Sequence, residues 1–395
     1  MIFLKLFVLV FSKIKKIILK SCKKQTEIES FLIILIIMID MIKRKKAMSM
    51  GFNLILTAIV GFSFIIIGFH FYSYLNQNAT AKVNQELISY LKQVMFYPIT
   101  SQSSSRLFST PSKISYSLSG NKISIGRGML ESHIPVYSEQ SFSSSKFSVF
   151  LSDFSPIYDV SPMLFIFPTN TFHVYLYRTP TTKNNSLRDE TYNSLPPNTF
   201  NSEQFIDKME IEQHTPLNYN AKTDKAVFVF LSSDSNTQMM KNLIPVINPN
   251  LVVLNITPSK DQNLGNITFY YYNQTSKSSE TVTYPYLSSS MITSAVFSFS
   301  PSVYKKGTQF LMKRMLNVNQ VYLERFKMIN ASMDKKCQDQ VKKNFDSNPF
   351  INLNNSISNT MDDFNYANTY KLNSNITAIT KASNNLIYSG CPSII

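Results

Sequence analysis

Tryptophan is absent from this chain, cysteine occurs three times and glycine nine times in 395 residues. Whole classes of motif are missing too. The sequence contains no H-E-x-x-H, no G-x-S-x-G and no Walker loop, so zinc proteolysis, α/β-hydrolase chemistry and P-loop phosphate binding have no support. Gly126-Arg127-Gly128 follows an apparent strand but lacks the third glycine and the helix of a dinucleotide loop. No internal repeat is visible, which argues against a solenoid or propeller. Neither a catalytic residue nor a cofactor is expected.

What is present points to folded structure. Apolar residues make up 44% and aromatic residues 13%, with 30 Phe and 21 Tyr, a composition unlike that of disordered chains. The net charge of +15 is unevenly placed: residues 1–50 hold 11 Lys or Arg against 3 acidic residues, and the remaining 345 carry only +7. A nucleic-acid partner would require a basic face on the folded part; none is indicated.

From Gly51 to Leu75 no charged residue occurs, and Lys43, Arg44, Lys45 and Lys46 lie just before this run. Such a run matches the roughly 20 apolar residues of a membrane-spanning helix, and the basic side of such a helix stays in the cytoplasm. The sequence therefore predicts a single-pass protein with the lipid bilayer as partner, its N-terminus cytoplasmic and its bulk extracytoplasmic. Two shorter apolar runs, Met1–Ser12 and Phe31–Ile42, are consistent with an interfacial hairpin or with translation starting at Met38, Met41 or Met48. A secretory signal peptide fits less well, since no A-x-A-like site follows. Lys45-Lys46-Ala47-Met48 before a long apolar helix resembles the basic leader of archaeal pilins and archaellins, with processing near Ala47/Met48.

The predicted organisation is a basic segment over 1–50, a transmembrane helix over 51–75, a stalk helix over 76–100, an α/β ectodomain over 101–300 and a helical subdomain over 301–395. The fold class is α+β, or α/β. Val83, Leu87, Tyr90, Leu91 and Val94 recur at the stalk's helical spacing. Ile114, Tyr116 and Leu118 alternate up to a Ser119-Gly120-Asn121-Lys122 turn, and Ile123 and Ile125 continue beyond it, a hairpin pattern. Phe147–Leu151, Met163–Phe167 and Phe172–Tyr177 are denser apolar runs, and Thr179–Glu203 reads as a loop. AVFVFL, a short helix at Thr237–Ile244 and LVVLNI form a βαβ unit covered on both faces, with NITFYYY as a further strand. Ser294–Phe299 reads as a strand preceding a helix that begins at Pro301-Ser302. Leu311, Met315, Val318, Tyr322, Phe326, Ile329, Met333 and Cys337 outline one long amphipathic helix over Val303–Phe345. Ile376, Ile379, Ser383 and Ile387 outline a last helix ending at Gly390-Cys391-Pro392.

Candidate chemistry is sparse. Glu210, Glu212 and His214 alternate, which on a strand puts three metal ligands on one face; a half-exposed polar strand looks the same. Ser143-Ser144-Ser145-Lys146 fits S-x-x-K, but so do Ser12/Lys15 and Ser21/Lys24, and chance explains them. In an oxidising compartment Cys337 and Cys391 are available for a disulfide, with Cys22 left as an internal thiol; two separate buried thiols are the alternative. If these cysteines meet, the two helices carrying them run the same way and Phe350–Phe364 returns between them. Sequons occur at Asn78, Asn184, Asn255, Asn266, Asn273, Asn330, Asn354 and Asn375, about as many as chance gives in so Asn-, Ser- and Thr-rich a chain, and they permit glycosylation on the outside. Lys335-Lys336 and Lys342-Lys343 are the solvated face of the long helix.

KKAMSMGFNLIL, NITFYYY, SAVFSFSPSVY, LERFKMINASMDKKC and the terminal NNLIYSGCP together resemble a group of uncharacterised single-pass membrane proteins of small-genome archaea. The resemblance spans most of Lys45–Ile395 and implies topology and architecture, with no activity to transfer. Those proteins often carry a further cysteine where Lys305 and Lys306 stand here, which leaves the partner of Cys391 open. The expected role is a membrane-anchored surface binding or assembly module with an unidentified protein partner. The alternatives are a pilin-like filament subunit, or an extracytoplasmic enzyme using Ser232, Ser233 and Asp234 at the carboxyl end of AVFVFL.

Overall fold

The computed structural model describes residues 50–96, 105–169, 171–177, 186–196, 199–200, 203–204, 207–211, 224–231, 238–260, 263–344 and 349–395. The chain divides into two units between Tyr74 and Leu75, the larger being Leu75–Ile395. Helix α1 runs through Met50–Phe96, 47 residues without a break. The expected membrane-spanning helix is corrected here: among the described residues, no helix is long and apolar enough to cross a membrane. The physical reason is dilution. From Gly61 onward Ser63, His70 and Ser73 interrupt the apolar side chains, and Asn76, Gln77 and Asn78 follow in the same helix. The basic cluster Lys43–Lys46, the Ala47/Met48 junction and the earlier apolar runs lie outside the described residues.

Two six-stranded sheets build the larger unit. The first contains β1 (Ser105–Ser119), β2 (Lys122–Ile125), β3 (Gly128–Glu131), β4 (Val136–Tyr137), β5 (Ser141–Phe154) and β6 (Ser161–Pro168), in the order β3-β2-β1-β5-β6-β4. The predicted hairpin is β1–β2, with Ser119 opposite Lys122. Gly120 turns the corner at φ +61°, a conformation open to glycine at no steric cost. The S-x-x-K match falls on β5, where strand alternation puts Ser143 and Lys146 on opposite faces.

The second sheet contains β7 (Phe172–Tyr177), β10 (Asp207–Ile211), β11 (Lys225–Leu231), β12 (Leu251–Pro258), β13 (Gly265–Asn273) and β14 (Ser278–Tyr286), in the order β10-β7-β11-β12-β13-β14. The first four strands are parallel, and β13 and β14 continue antiparallel. Between β7 and β10, where a loop is predicted, the chain forms helix α2 (Ser186–Ser194) and the short strands β8 (Thr199–Phe200) and β9 (Glu203–Gln204). Helix α2 is polar except at Leu187, which is buried, so periodicity alone had little to mark it. Helix α3 (Gln238–Leu243) joins β11 to β12 and completes the βαβ unit.

The central strands of both sheets are covered on both sides, while β14 and β3 keep exposed residues. Leu87 and Leu91 of α1 pack with Val149, Leu151 and Ile166 on one face of the first sheet. On the second sheet, Ala226, Phe228 and Phe230 pack with Met239 and Met240, while Val227, Val229 and Leu231 point into the main core. Between the two sheets lies helix α4 (Ser289–Ser298), where a strand at Ser294–Phe299 is predicted. Every residue from Met291 to Ser298 is buried, so its apolar pattern carries no period to read. Its hydroxyls are satisfied inside the helix: Ser294 Oγ donates to the Ser290 carbonyl at 2.9 Å and Ser298 Oγ to the Ser294 carbonyl at 2.6 Å.

The C-terminal hundred residues are helical, but the single long helix of the prediction is two. Helix α5 (Pro301–Ser332) stops at Met333, whose backbone is extended. The Asp334 carboxylate accepts from the Cys337 amide at 2.8 Å and so starts α6 (Lys335–Asn344), as an N-cap aspartate does. Helices α7 (Pro349–Asp362) and α8 (Tyr366–Tyr388) complete the set. Asn319 of α5 donates to Phe350 O and Asn354 Oδ1, and Gln309 to Met361 O, so α5 and α7 are antiparallel. Asn375 and Asn368 of α8 donate back to Asn352 and Asn359, so α8 runs with α5 again and α7 returns between them.

Cys337 and Cys391 form a disulfide, with Cα atoms 5.6 Å apart and a sequence separation of 54. The stop of α8 sets it up. Gly390, at φ +74°, donates to Ile387 O and Cys391 donates to Leu386 O. This Schellman pattern fixes Cys391 two residues past the C-cap Ser389.

Candidate functional site

A cleft of about 860 Å³ opens on the larger unit, within the size range of ligand sites. One wall is α8. Asn373, Thr377, Thr380, Asn384 and Tyr388 step by three or four residues and line it, beside the buried stripe Leu372, Ile376, Ile379 and Leu386, of which Ile376 also reaches the cleft. The other wall combines Ser152 and Asp153 at the end of β5, Glu190 and Ser194 of α2, and the start of α4 at Ser288, Ser289 and Ser290.

Hydroxyl groups hold that second wall in place. Ser289 Oγ donates to Glu190 Oε1 at 2.6 Å. Ser194 and Thr293 share a hydrogen bond of 2.6 Å, and Ser288 and Ser290 one of 2.7 Å. Ser288 is extended at the N-cap of α4 and its side chain caps no backbone amide. In the cleft lining the Asp153 carboxyl is raised above its ordinary value, first because partial burial disfavours its charge and second because Asp159 lies nearby. Lys381 is the one cation among the lining residues, against the two carboxylates.

None of the described candidate site residues from sequence lines the cleft. Glu210 lies on the edge strand β10, opposite Leu176 of β7, while Glu212, His214, Ser232, Ser233 and Asp234 fall outside the described residues. Among the described residues, no group of three or more His, Cys, Asp and Glu could hold a metal ion. Of the sequon asparagines, Asn78 is exposed on α1 and Asn255 is buried in β12. Asn354 and Asn375 hydrogen-bond within the helical layer, Asn273 donates to Glu280 at 2.8 Å, and Asn266 and Asn330 are half-buried. Asn184 lies outside the described residues.

Sequence reasoning missed the cleft, although two signals for it were present. Ser288-Ser289-Ser290 before an apolar segment is an N-cap cluster. The Asn and Thr stripe of α8 is polar yet carries no acid, unlike an ordinary solvated helix face. No protein-family model, curated protein or solved structure matches the chain.

Proposed function

We propose that this protein is an assembly module of the cell surface, an extracytoplasmic disulfide-stapled domain whose copies join through helix α1. One observation carries the reading. Phe62, Ile65, Phe69 and Tyr72 fall at helical spacing and are 65%, 68%, 72% and 65% exposed. An apolar stripe of that kind marks an interaction surface. Phe64 and Phe71, 48% and 61% exposed, lie about 130° further round the axis at 3.6 residues per turn. Gly61 and Gly68 sit between the two stripes with open space where a Cβ would be.

Two apolar faces on one helix let each copy meet two neighbours, the geometry of an open, heterologous array rather than a closed dimer. The occupant of these faces is the same helix from other copies, whose glycines allow close approach. The pilin-like form of this reading adds processing near Ala47/Met48, which would leave α1 at the start of the mature chain. Extracytoplasmic placement is supported by the Cys337–Cys391 bridge, since such bonds persist in oxidising compartments.

Sedimentation velocity on the full chain tests this. The expected result is a series of species larger than a dimer that collapses to monomer in the Phe62→Lys/Phe69→Lys variant, both positions being exposed and therefore tolerant. A monomeric parent chain, or a double variant that assembles unchanged, overturns it.

A further inference from the structure

We infer that the cleft between α8 and the start of α4 is a binding site for a neutral oligosaccharide. The lining chemistry selects this class. A sugar presents closely spaced hydroxyls, each donor and acceptor, and the cleft answers with both kinds of group. Asn263, Asn373 and Asn384 bring amides that donate and accept, while Ser152, Ser155 and Thr380 bring hydroxyls. Glu190 and Asp153 are acceptors for adjacent sugar hydroxyls. Glu190 is already oriented by Ser289 at 2.6 Å, so one of its oxygens is fixed and the carboxylate is preorganised, which lowers the ordering cost of binding.

Other ligand classes fit less well. Two carboxylates and one ammonium leave the lining with a net negative charge, which opposes phosphate, sulfate or an acidic peptide. Apolar side chains are few, with Pro156, Leu287 and Ile376 among them, so a lipid or drug-like hydrophobe would leave the polar groups unpaired at a cost. At the rim stands Tyr388, 87% exposed. An aromatic ring held in water at the mouth of a polar cleft offers a flat apolar face to the C–H side of a pyranose ring, and its hydroxyl stays solvated. The combination of hydrogen-bonding walls and one aromatic platform is what a chain of sugar rings requires.

The site lies wholly within Leu75–Ile395 and involves no residue of the apolar helix face, so it stands or falls separately from the assembly reading. Isothermal titration of the full oxidised chain with chitotetraose, cellotetraose and mannotetraose tests it. Tyr388→Ala and Glu190→Gln serve as variants, and unchanged thermal unfolding shows that the exposed Tyr388 site is altered without loss of the fold. The expected result is saturable binding of at least one tetrasaccharide, weakened about tenfold by Tyr388→Ala, the scale of a lost stacking contact of about 1.4 kcal/mol, and weakened further by adding Glu190→Gln. Absence of binding by all three sugars overturns the proposal. So does binding that both variants leave unchanged, or preference for an acidic peptide over every sugar.

Discussion

Single residues in this protein are placed by hydrogen bonds that cross turns and join neighbouring strands. Glu280 is the clearest case. Its carboxylate accepts from Ser276 Oγ at 2.6 Å, Asn273 Nδ2 at 2.8 Å and the Tyr271 hydroxyl at 2.9 Å, across the β13–β14 hairpin. These bonds favour the charged form, so its carboxyl titrates below the usual value of 4.5, with Ser276 the largest contributor. The same contact, with burial as the larger cause, pushes the Tyr271 phenol up to about 12. The sign of the linkage follows. A lowered carboxyl contributes stability above its unfolded pKa, and that contribution is lost as the pH falls through the folded value. Carbon-detected NMR titration should place the Glu280 midpoint below 4.5, and Ser276→Ala should move it back upward; a midpoint unmoved by that change would remove the staple. At this scale the sequence was partly readable. Gly120 and Gly390 announce their turns through backbone freedom. The choice of Glu280 as the hub of four residues depends on strand register, which no local pattern states.

At the scale of elements, short apolar runs that lie in the sheet were legible and the apolar run that forms a buried helix was not. AVFVFL and LVVLNI became β11 and β12 because continuous apolar strands suit a sheet covered on both faces. Ser289–Ser298 misled because a helix buried on every side looks like a strand when read as an apolar run. The break between α5 and α6 was legible in Asp334, a favoured N-cap residue, yet the apolar stripe continues through it at Met333 and Cys337 and hid it. That break matters for the disulfide. Cys337 stands at the first turn of α6 and Cys391 just past α8, with Asn385 Nδ2 donating to Asn344 Oδ1 at the other end of the pair, so α6 and α8 are antiparallel. The expectation that the cysteine-bearing helices run the same way holds for α5 and α8, and fails for α6. Closing a 54-residue loop constrains the unfolded chain by about 4 kcal/mol in the entropic description. Cys391→Ser should therefore lower urea-unfolding stability by about 2–4 kcal/mol, and reducing the parent protein should reproduce the loss. Equal midpoints for the oxidised, reduced and substituted proteins would show that the bridge constrains nothing.

Across the larger unit, the two sheets share one core, and α4 is the element that joins them. The ring of Phe297 lies 5.2 Å and 4.7 Å from Phe165 and Phe167 of the first sheet and 5.6 Å from Phe172 of the second. None of these contacts was accessible from sequence, since they join residues up to about 130 positions apart through a helix that read as a strand. The cleft inherits this arrangement. Its second wall is the start of the same helix, so anything that loosens α4 in the core also loosens Ser289 and, through it, Glu190. Phe297→Ala should cost about 3–5 kcal/mol, as removal of a fully buried aromatic ring does. Because the ring touches both sheets, the loss should appear as one earlier transition, with far-UV and near-UV circular dichroism still coincident. Two separated transitions in the variant would mean that each sheet keeps a core of its own and that α4 is a spacer. A single transition with the full loss would mean that the fold of both sheets and the shape of the cleft depend on the same helix.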